Sequence, residues 1–220
     1  VALLSTAFFR FVPMLGGDFW KNRKVQPSTN ASRSEYLYFL SSLAVFTMVG
    51  FVLDKVDLPA QEVFRISLLK SLLIFVVYDL YFYLTHRLLH TPFLDRAIHR
   101  IHHRYENPDA LSSFAFHPME GVIQIAVFIP LAMLFQPSVI VVQLLISLLL
   151  FLSVYGHCGY ELRARKIPAL DIFTTSIFHN LHHTERAKNF GIFLVFWDKL
   201  FRTISPSYSQ LRSKFRKKLN

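Results

Sequence analysis

Four apolar stretches, each near the roughly 20 residues that a helix needs to cross a bilayer core of about 30 Å, restrict this chain to membrane folds. They run from about Tyr36 to Leu53, Phe64 to Thr85, Met119 to Phe135 and Ser138 to Tyr155. The second carries Arg65 and Lys70 near its start and Asp79 near its end. Gln136-Pro137 parts the third from the fourth, a turn signal between antiparallel helices. The expected architecture is an all-α integral membrane protein with four spans in two hairpins. Composition points the same way, because 53% hydrophobic residues and a mean hydropathy of +0.36 are too apolar for a soluble domain of 220 residues.

Basic residues set the expected orientation. Arg10, Lys21, Arg23, Lys24 and Arg33 precede the first span, whereas the connection from Asp54 to Glu62 holds only Lys55 beside Asp54, Asp57 and Glu62. Arginines recur between His86 and His117, and Lys and Arg are dense from His157 onward. Both termini and the polar segments 86–117 and 157–203 are thus expected on the cytoplasmic side, the two segments forming one helical cap. A basic tail, 204–220, follows. The net charge of +10 is explained by these loops, and no nucleic-acid partner is expected. The sequon Asn30-Ala31-Ser32 would face the cytoplasm and stay unglycosylated. With Cys158 as the one cysteine, an intrachain disulfide and a cysteine metal site are both excluded.

All ten histidines lie between His86 and His183, and nine form four groups: His86 with His90; His99, His102 and His103; His157; and His179, His182 and His183. On a helix, residues three or four apart share a face, so each group can aim its imidazoles at a common point. The spacing reads as HxxxH followed by two copies of HxxHH, a ligand pattern for a pair of metal ions. Imidazole suits iron, copper, nickel and zinc alike. Nine neutral ligands suffice for two metals with open positions. Hydrolytic two-metal sites mix in carboxylates, and the scarcity of carboxylates within these motifs argues against hydrolysis.

Several neighbours are candidates for support. His117, beside Phe116, Pro118 and Glu120 near the start of the third span, can complete a ligand shell or merely support one. Asp79, Tyr83, His86 and His90 form one helical stripe. A carboxylate inside a span is costly, and the expected role of Asp79 is to accept the second ring N–H of a metal-bound histidine. Tyr83 and Glu120 are expected to support the ligands, and Asn189, Trp197 and Asp198 are candidates for shaping the pocket or for packing.

From Asp79 to Thr203 the sequence resembles the fatty acid hydroxylase and sterol desaturase superfamily of membrane di-iron enzymes. The resemblance rests on the Asp-x-x-x-Tyr lead into HxxxH, both HxxHH motifs, Phe-His-Pro-Met-Glu-Gly at 116–121, His157-Cys-Gly-Tyr, Asn189-Phe-Gly191 and Trp197-Asp198-Lys-Leu-Phe201. It implies an enzyme that uses O2 and two iron ions to hydroxylate or desaturate a lipid, most readily a sterol, with a fatty acid or other lipid as the alternative. Zinc can replace iron in purified protein. It also implies metal binding by the eight grouped histidines and His157, and a separate electron donor such as cytochrome b5 with its reductase. Within the superfamily the motifs look nearest to sterol C5 desaturases. Arg202 stands where the family usually has glycine, which bears on local backbone shape.

Lys217-Lys218-Leu219-Asn220 resembles a retrieval signal of endoplasmic reticulum membrane proteins, placing the chain in that membrane with a cytoplasmic active site. A polybasic segment against anionic lipid is the rival reading. A bacterial origin would make it the inner membrane. The rival functional classes are a zinc-dependent membrane hydrolase, a metal transporter and an inactive lipid-binding relative. No HExxH is present, and the histidines lie at span ends and in the cap, which disfavours the first two.

Overall fold

The structure is a computed structural model and describes residues 1–27, 31–60, 62–162 and 171–219. Asn30 of the sequon and Asn220 of the C-terminal motif lie outside the described residues. Helices α1 (Ala2–Phe11) and α2 (Asp18–Arg23) precede the first long helix, α3 (Arg33–Asp54). Ser32 starts α3 with a reciprocal cap, its Oγ accepting from the Glu35 amide at 3.2 Å and the Glu35 carboxylate accepting from the Ser32 amide at 3.3 Å. Helix α4 (Phe64–Leu89) ends in the first histidines, and α5 (Pro92–Ala97) leads to a 3-10 turn over His99–Arg104. Helices α6 (Pro118–Ile125) and α7 (Phe128–Phe135) make up the third span, and α8 (Val139–His157) is the fourth. After them come α9 (Ser176–Glu185), α10 (Phe196–Leu200) and α11 (Ser207–Leu219). Extended pairing among the described residues is limited to two isolated bridges, Lys24 with Tyr160 and Phe173 with Leu194.

Among the described residues, four helical segments are long and apolar enough to cross a membrane: Arg33–Asp54, Phe64–Leu89, Pro118–Phe135 and Val139–His157. The third, expected as one helix, breaks at Ala126 and Val127. Pro130 explains the break, since its ring excludes the carbonyl four residues back, that of Ala126, and it has no N–H to give. The Ala126 carbonyl instead accepts from Ile129, one residue earlier, at 3.1 Å. Gln136, in the left-handed region at φ 44°, ends α7 and turns the chain into α8.

The two short loops meet at one end of the bundle. Lys70 donates to the Glu62 carboxylate and to the Gln136 carbonyl, and the Val139 amide donates to the Pro59 carbonyl. The opposite end holds the C-termini of α4 and α8 and the N-termini of α3 and α6, with every histidine. Helix α3 packs on α6 and α7, and α4 packs on α7 and α8, so the hairpins interlock. Tyr78 and Phe128 rings, 4.3 Å apart, centre the core between α4 and α7. Outward faces stay apolar and exposed, as at Leu40, Leu69, Leu72, Leu144 and Leu148.

The N-terminal segment also joins the histidine end. The Val25 amide donates to Gly159, Glu161 donates to Arg23, and Arg10 bridges Asp109 at 2.6 Å. The basic tail is helical through most of its length. Arg212 and Arg216 of α11 both bind Asp171, at 2.6 and 2.8 Å. Burial opposes ionisation of Asp171, yet the two guanidiniums hold its carboxyl below the usual range.

Candidate metal centre

The histidines come from four places that the fold draws together. Helix α4 delivers His86 in its last turn and His90 as its C-terminal cap. The 3-10 turn delivers His99, His102 and His103, the end of α8 delivers His157, and α9 delivers His179, His182 and His183. Helix α9 is oriented by Thr175, whose hydroxyl accepts from the Phe178 amide at 3.1 Å, and by Ile177, Phe178 and Leu181 packed against Val195 and Tyr208.

Nine imidazoles converge in two adjacent sets. His86, His90, His99, His103 and His182 form one; His102, His157, His179 and His183 form the other. Within each set the facing ring nitrogens lie within 4.8 Å of one another. The expectation that each sequence group serves one point is corrected here, because each HxxHH motif divides. His99 and His103 go to the first set and His102 to the second, whereas His179 and His183 go to the second and His182 to the first. On α9 the reason is helical geometry: residues i and i+4 share a stripe, and the residue between points about a quarter-turn aside. The sets touch through His103 and His183, with ring centroids 4.7 Å apart.

Hydrogen bonds fix the tautomers. The Nδ1–H of His86 donates to the Phe190 carbonyl at 2.7 Å, that of His182 to Lys188 at 2.7 Å, and that of His157 to Ser153 at 2.8 Å. A carbonyl only accepts, so each of these neutral rings presents a bare Nε2 to its set. His99 is held similarly, its Nδ1 facing the Glu120 carboxylate at 2.9 Å. The Nε2 atoms of His86 and His99 then face each other at 3.2 Å, lone pair to lone pair. Such a contact is repulsive unless a cation shares it. The donor set therefore fits metal ions, and it also keeps itself deprotonated: burial pushes His90, His102, His103, His179, His182 and His183 below the usual histidine range, and neighbouring imidazoles add to the effect.

A pH dependence follows. A buried histidine whose folded pKa lies below the unfolded value of about 6.5 takes up protons more readily in the unfolded state. Stability should therefore be flat above about pH 7.5 and fall as pH drops below about 6.5, with metal release. Thermal midpoints in detergent across that range, with metal retention measured alongside, check this; a rise towards acid pH would contradict it.

Asp79 does not meet a histidine, contrary to expectation. Seven residues of helix separate it from His86, roughly 10 Å along the axis, beyond the reach of a carboxylate. It accepts instead from the Trp197 indole at 2.8 Å and from the Leu194 amide at 3.4 Å, tying α10 and the loop before it to α4. Glu120 is the carboxylate that reaches an imidazole. Replacing Glu120 with Gln should weaken metal affinity about 10- to 100-fold by removing the charge behind His99. Metal titration of the stripped protein tests this, and unchanged affinity would remove Glu120 from the site. His117 stands outside both sets, capping α6 with its Nδ1 accepting from the Met119 amide at 3.2 Å.

Asn189, Asp198 and Tyr83 build the wall behind the first set. Asp198, fully buried, accepts from the Phe190 and Gly191 amides and the Thr203 hydroxyl at 2.9, 2.7 and 2.7 Å. Asn189, at φ 58°, donates to the Phe178 carbonyl and accepts from the Ser205 amide. Tyr83 shares a hydrogen bond with Thr203 and stacks on Phe201. The loop so fixed carries the Lys188 and Phe190 carbonyls that orient His182 and His86. Arg202, in the position noted above, adopts φ 58°, a conformation that favours glycine. The orienting carbonyls of Lys188, Phe190 and Ser153 have no sequence signal, since every residue type carries one.

A family model for fatty acid hydroxylases matches residues 71–203. The chain is similar to a C-4 methylsterol oxidase of Schizosaccharomyces pombe, 31% identical over 147 residues that cover 64% of this chain and 49% of that protein. It is 28% identical to methylsterol monooxygenase 1 of Danio rerio over 130 residues, 59% of this chain and 45% of the relative. A putative methylsterol monooxygenase of Dictyostelium discoideum aligns over 216 residues at 24% identity, 90% of this chain and 80% of the relative. The chain thus spans about half the length of the first two relatives. No solved structure matches.

Proposed function

The chain belongs to the fatty acid hydroxylase family, and from that premise we propose that it is a membrane oxygenase that hydroxylates a methyl group of a sterol, using O2 and external electrons. The observation that carries this reading is the pair of all-imidazole sets at the end of an apolar bundle, into which His86, His99, His157 and His182 present bare Nε2 atoms. The first set of five and the second set of four would each hold one iron, with zinc able to substitute. Bound iron would supply the activation of dioxygen needed to remove hydrogen from an unactivated C–H bond. The names of the relatives, a C-4 methylsterol oxidase and a methylsterol monooxygenase, favour hydroxylation over desaturation, and the first favours the ring-bound C-4 methyl as the target. A fatty acid or other lipid is the alternative substrate.

The residues of the chain prepare this chemistry. The carbonyls of Phe190, Lys188 and Ser153 and the carboxylate of Glu120 hold four imidazoles in one tautomer and orientation before any ligand arrives. Phe82, Phe114 and Phe116 line the space beside His99, His102 and His157, excluding water and receiving an apolar substrate. The whole chain, 1–220, acts as one membrane-embedded unit, in the endoplasmic reticulum with the histidine end cytoplasmic, or in a bacterial inner membrane. Electrons come from a separate donor such as cytochrome b5 and its reductase.

The test is metal identity and stoichiometry in protein purified from iron-replete cells, followed by single turnover under O2 with a C-4 methylsterol. About two irons per chain and an oxygenated methyl product are expected. One zinc per chain with no O2-dependent product would transfer the reading to a hydrolase.

A further inference from the structure

Two small internal cavities lie end to end, about 30 Å³ beside the histidines and about 40 Å³ deeper between the spans. Phe82, Phe114, Gln124 and Ser153 border both. The deeper cavity is otherwise lined mainly by apolar side chains such as Ile146, Leu149 and Phe193. Neither space holds a ring system as it stands, so the two phenylalanines must part when a lipid enters. A polar collar in an apolar passage is costly unless something pairs with it.

Gln124 lies one helical turn after Glu120 on α6. Its Nε2 donates to Glu120 Oε1 at 3.0 Å, the same oxygen that faces His99. A carboxylate only accepts, so the amide is fixed in this orientation and its carbonyl Oε1 is left as an acceptor in the passage. We propose that Gln124 is a positioning residue that accepts a hydrogen bond from the substrate hydroxyl and thereby sets the neighbouring methyl group against the histidines. This rests on the sterol reading above, in which the hydroxyl at C-3 adjoins the carbon bearing the oxidised methyl. The apolar ring system would then extend into the deeper cavity, and the link through Glu120 to His99 makes the distance from hydroxyl to metal centre a property of one hydrogen-bonded chain.

The experiment compares binding of 4,4-dimethylcholestan-3-ol, its 3-deoxy analogue and its 3-ketone to the metal-loaded protein in detergent, by equilibrium competition. In the unaltered protein the alcohol should bind at least about tenfold more tightly than either analogue, since the ketone can only accept. Gln124→Met should bring the three within about threefold, by weakening the alcohol, with metal content and thermal midpoint retained. Preference for the alcohol persisting in a metal-loaded Gln124→Met protein would overturn the assignment and leave the sterol reading standing. Tight binding of the ketone to the unaltered protein would overturn it independently of any variant. Failure of all three to bind would remove the sterol reading, and the proposal with it.

Discussion

His182→Ala is expected to lower bound metal from about two to about one per chain and to reduce substrate oxidation by more than about 100-fold, given that losing even an outer partner of a ligand costs 10- to 100-fold. His182 is fully buried, and its Nε2 lies 3.1 Å from both His90 and His103. The Lys188 carbonyl holds its other nitrogen, so its Nε2 is presented to the set in a fixed orientation. His183→Ala should empty the other set while leaving the five-histidine set filled. Adjacent residues would thus affect different metals, which metal analysis with a spectroscopic signature of each site can resolve. Full turnover with unchanged metal in His182→Ala would remove His182 from the ligand set, and identical spectroscopic losses in both variants would contradict the division into two sets.

Asp198→Ala should cost the fold about 3 kcal/mol or more and loosen the first metal set as well. The carboxylate satisfies two buried amides and a hydroxyl, and its loss leaves those donors unpaired in a site that water does not reach. Burial raises its pKa, and the hydrogen bonds from Thr203, Gly191 and Phe190 act to lower it, so the site is built around an acceptor. The loop is packed tightly around the carboxylate: a Cβ on Gly191 would lie 2.6 Å from the Leu194 carbonyl oxygen and 2.8 Å from Asp198 Oδ2. Since the Phe190 carbonyl orients His86, metal affinity should fall together with stability. Denaturation in mixed micelles and metal titration measure both. A stability loss below about 0.5 kcal/mol, the range of ordinary surface substitutions, would show that the loop does not depend on this carboxylate.

The spans were legible because length and hydropathy are local properties, and the turn at Gln136-Pro137 likewise. The break in the third span was legible in principle from Pro130, whose effect falls on Ala126, but an apolar run of that length masks it. Asp79 shows a different limit. Its stripe with Tyr83 and His86 was visible, yet the partner of its carboxylate was not, because Trp197 lies 118 residues away and meets it only when α10 docks on α4.

The sequence by itself determined that the chain is helical, membrane-embedded and rich in imidazole donors at one end of the bundle, since periodicity and composition act within a few residues of backbone. Only the tertiary structure decided how nine histidines divide five and four, that Glu120 rather than Asp79 stands behind an imidazole, and that Gln124 faces the passage. Those choices depend on where separate helices cross, and the direction of a side chain across a helix interface is fixed by packing and hydrogen bonding between segments far apart in sequence.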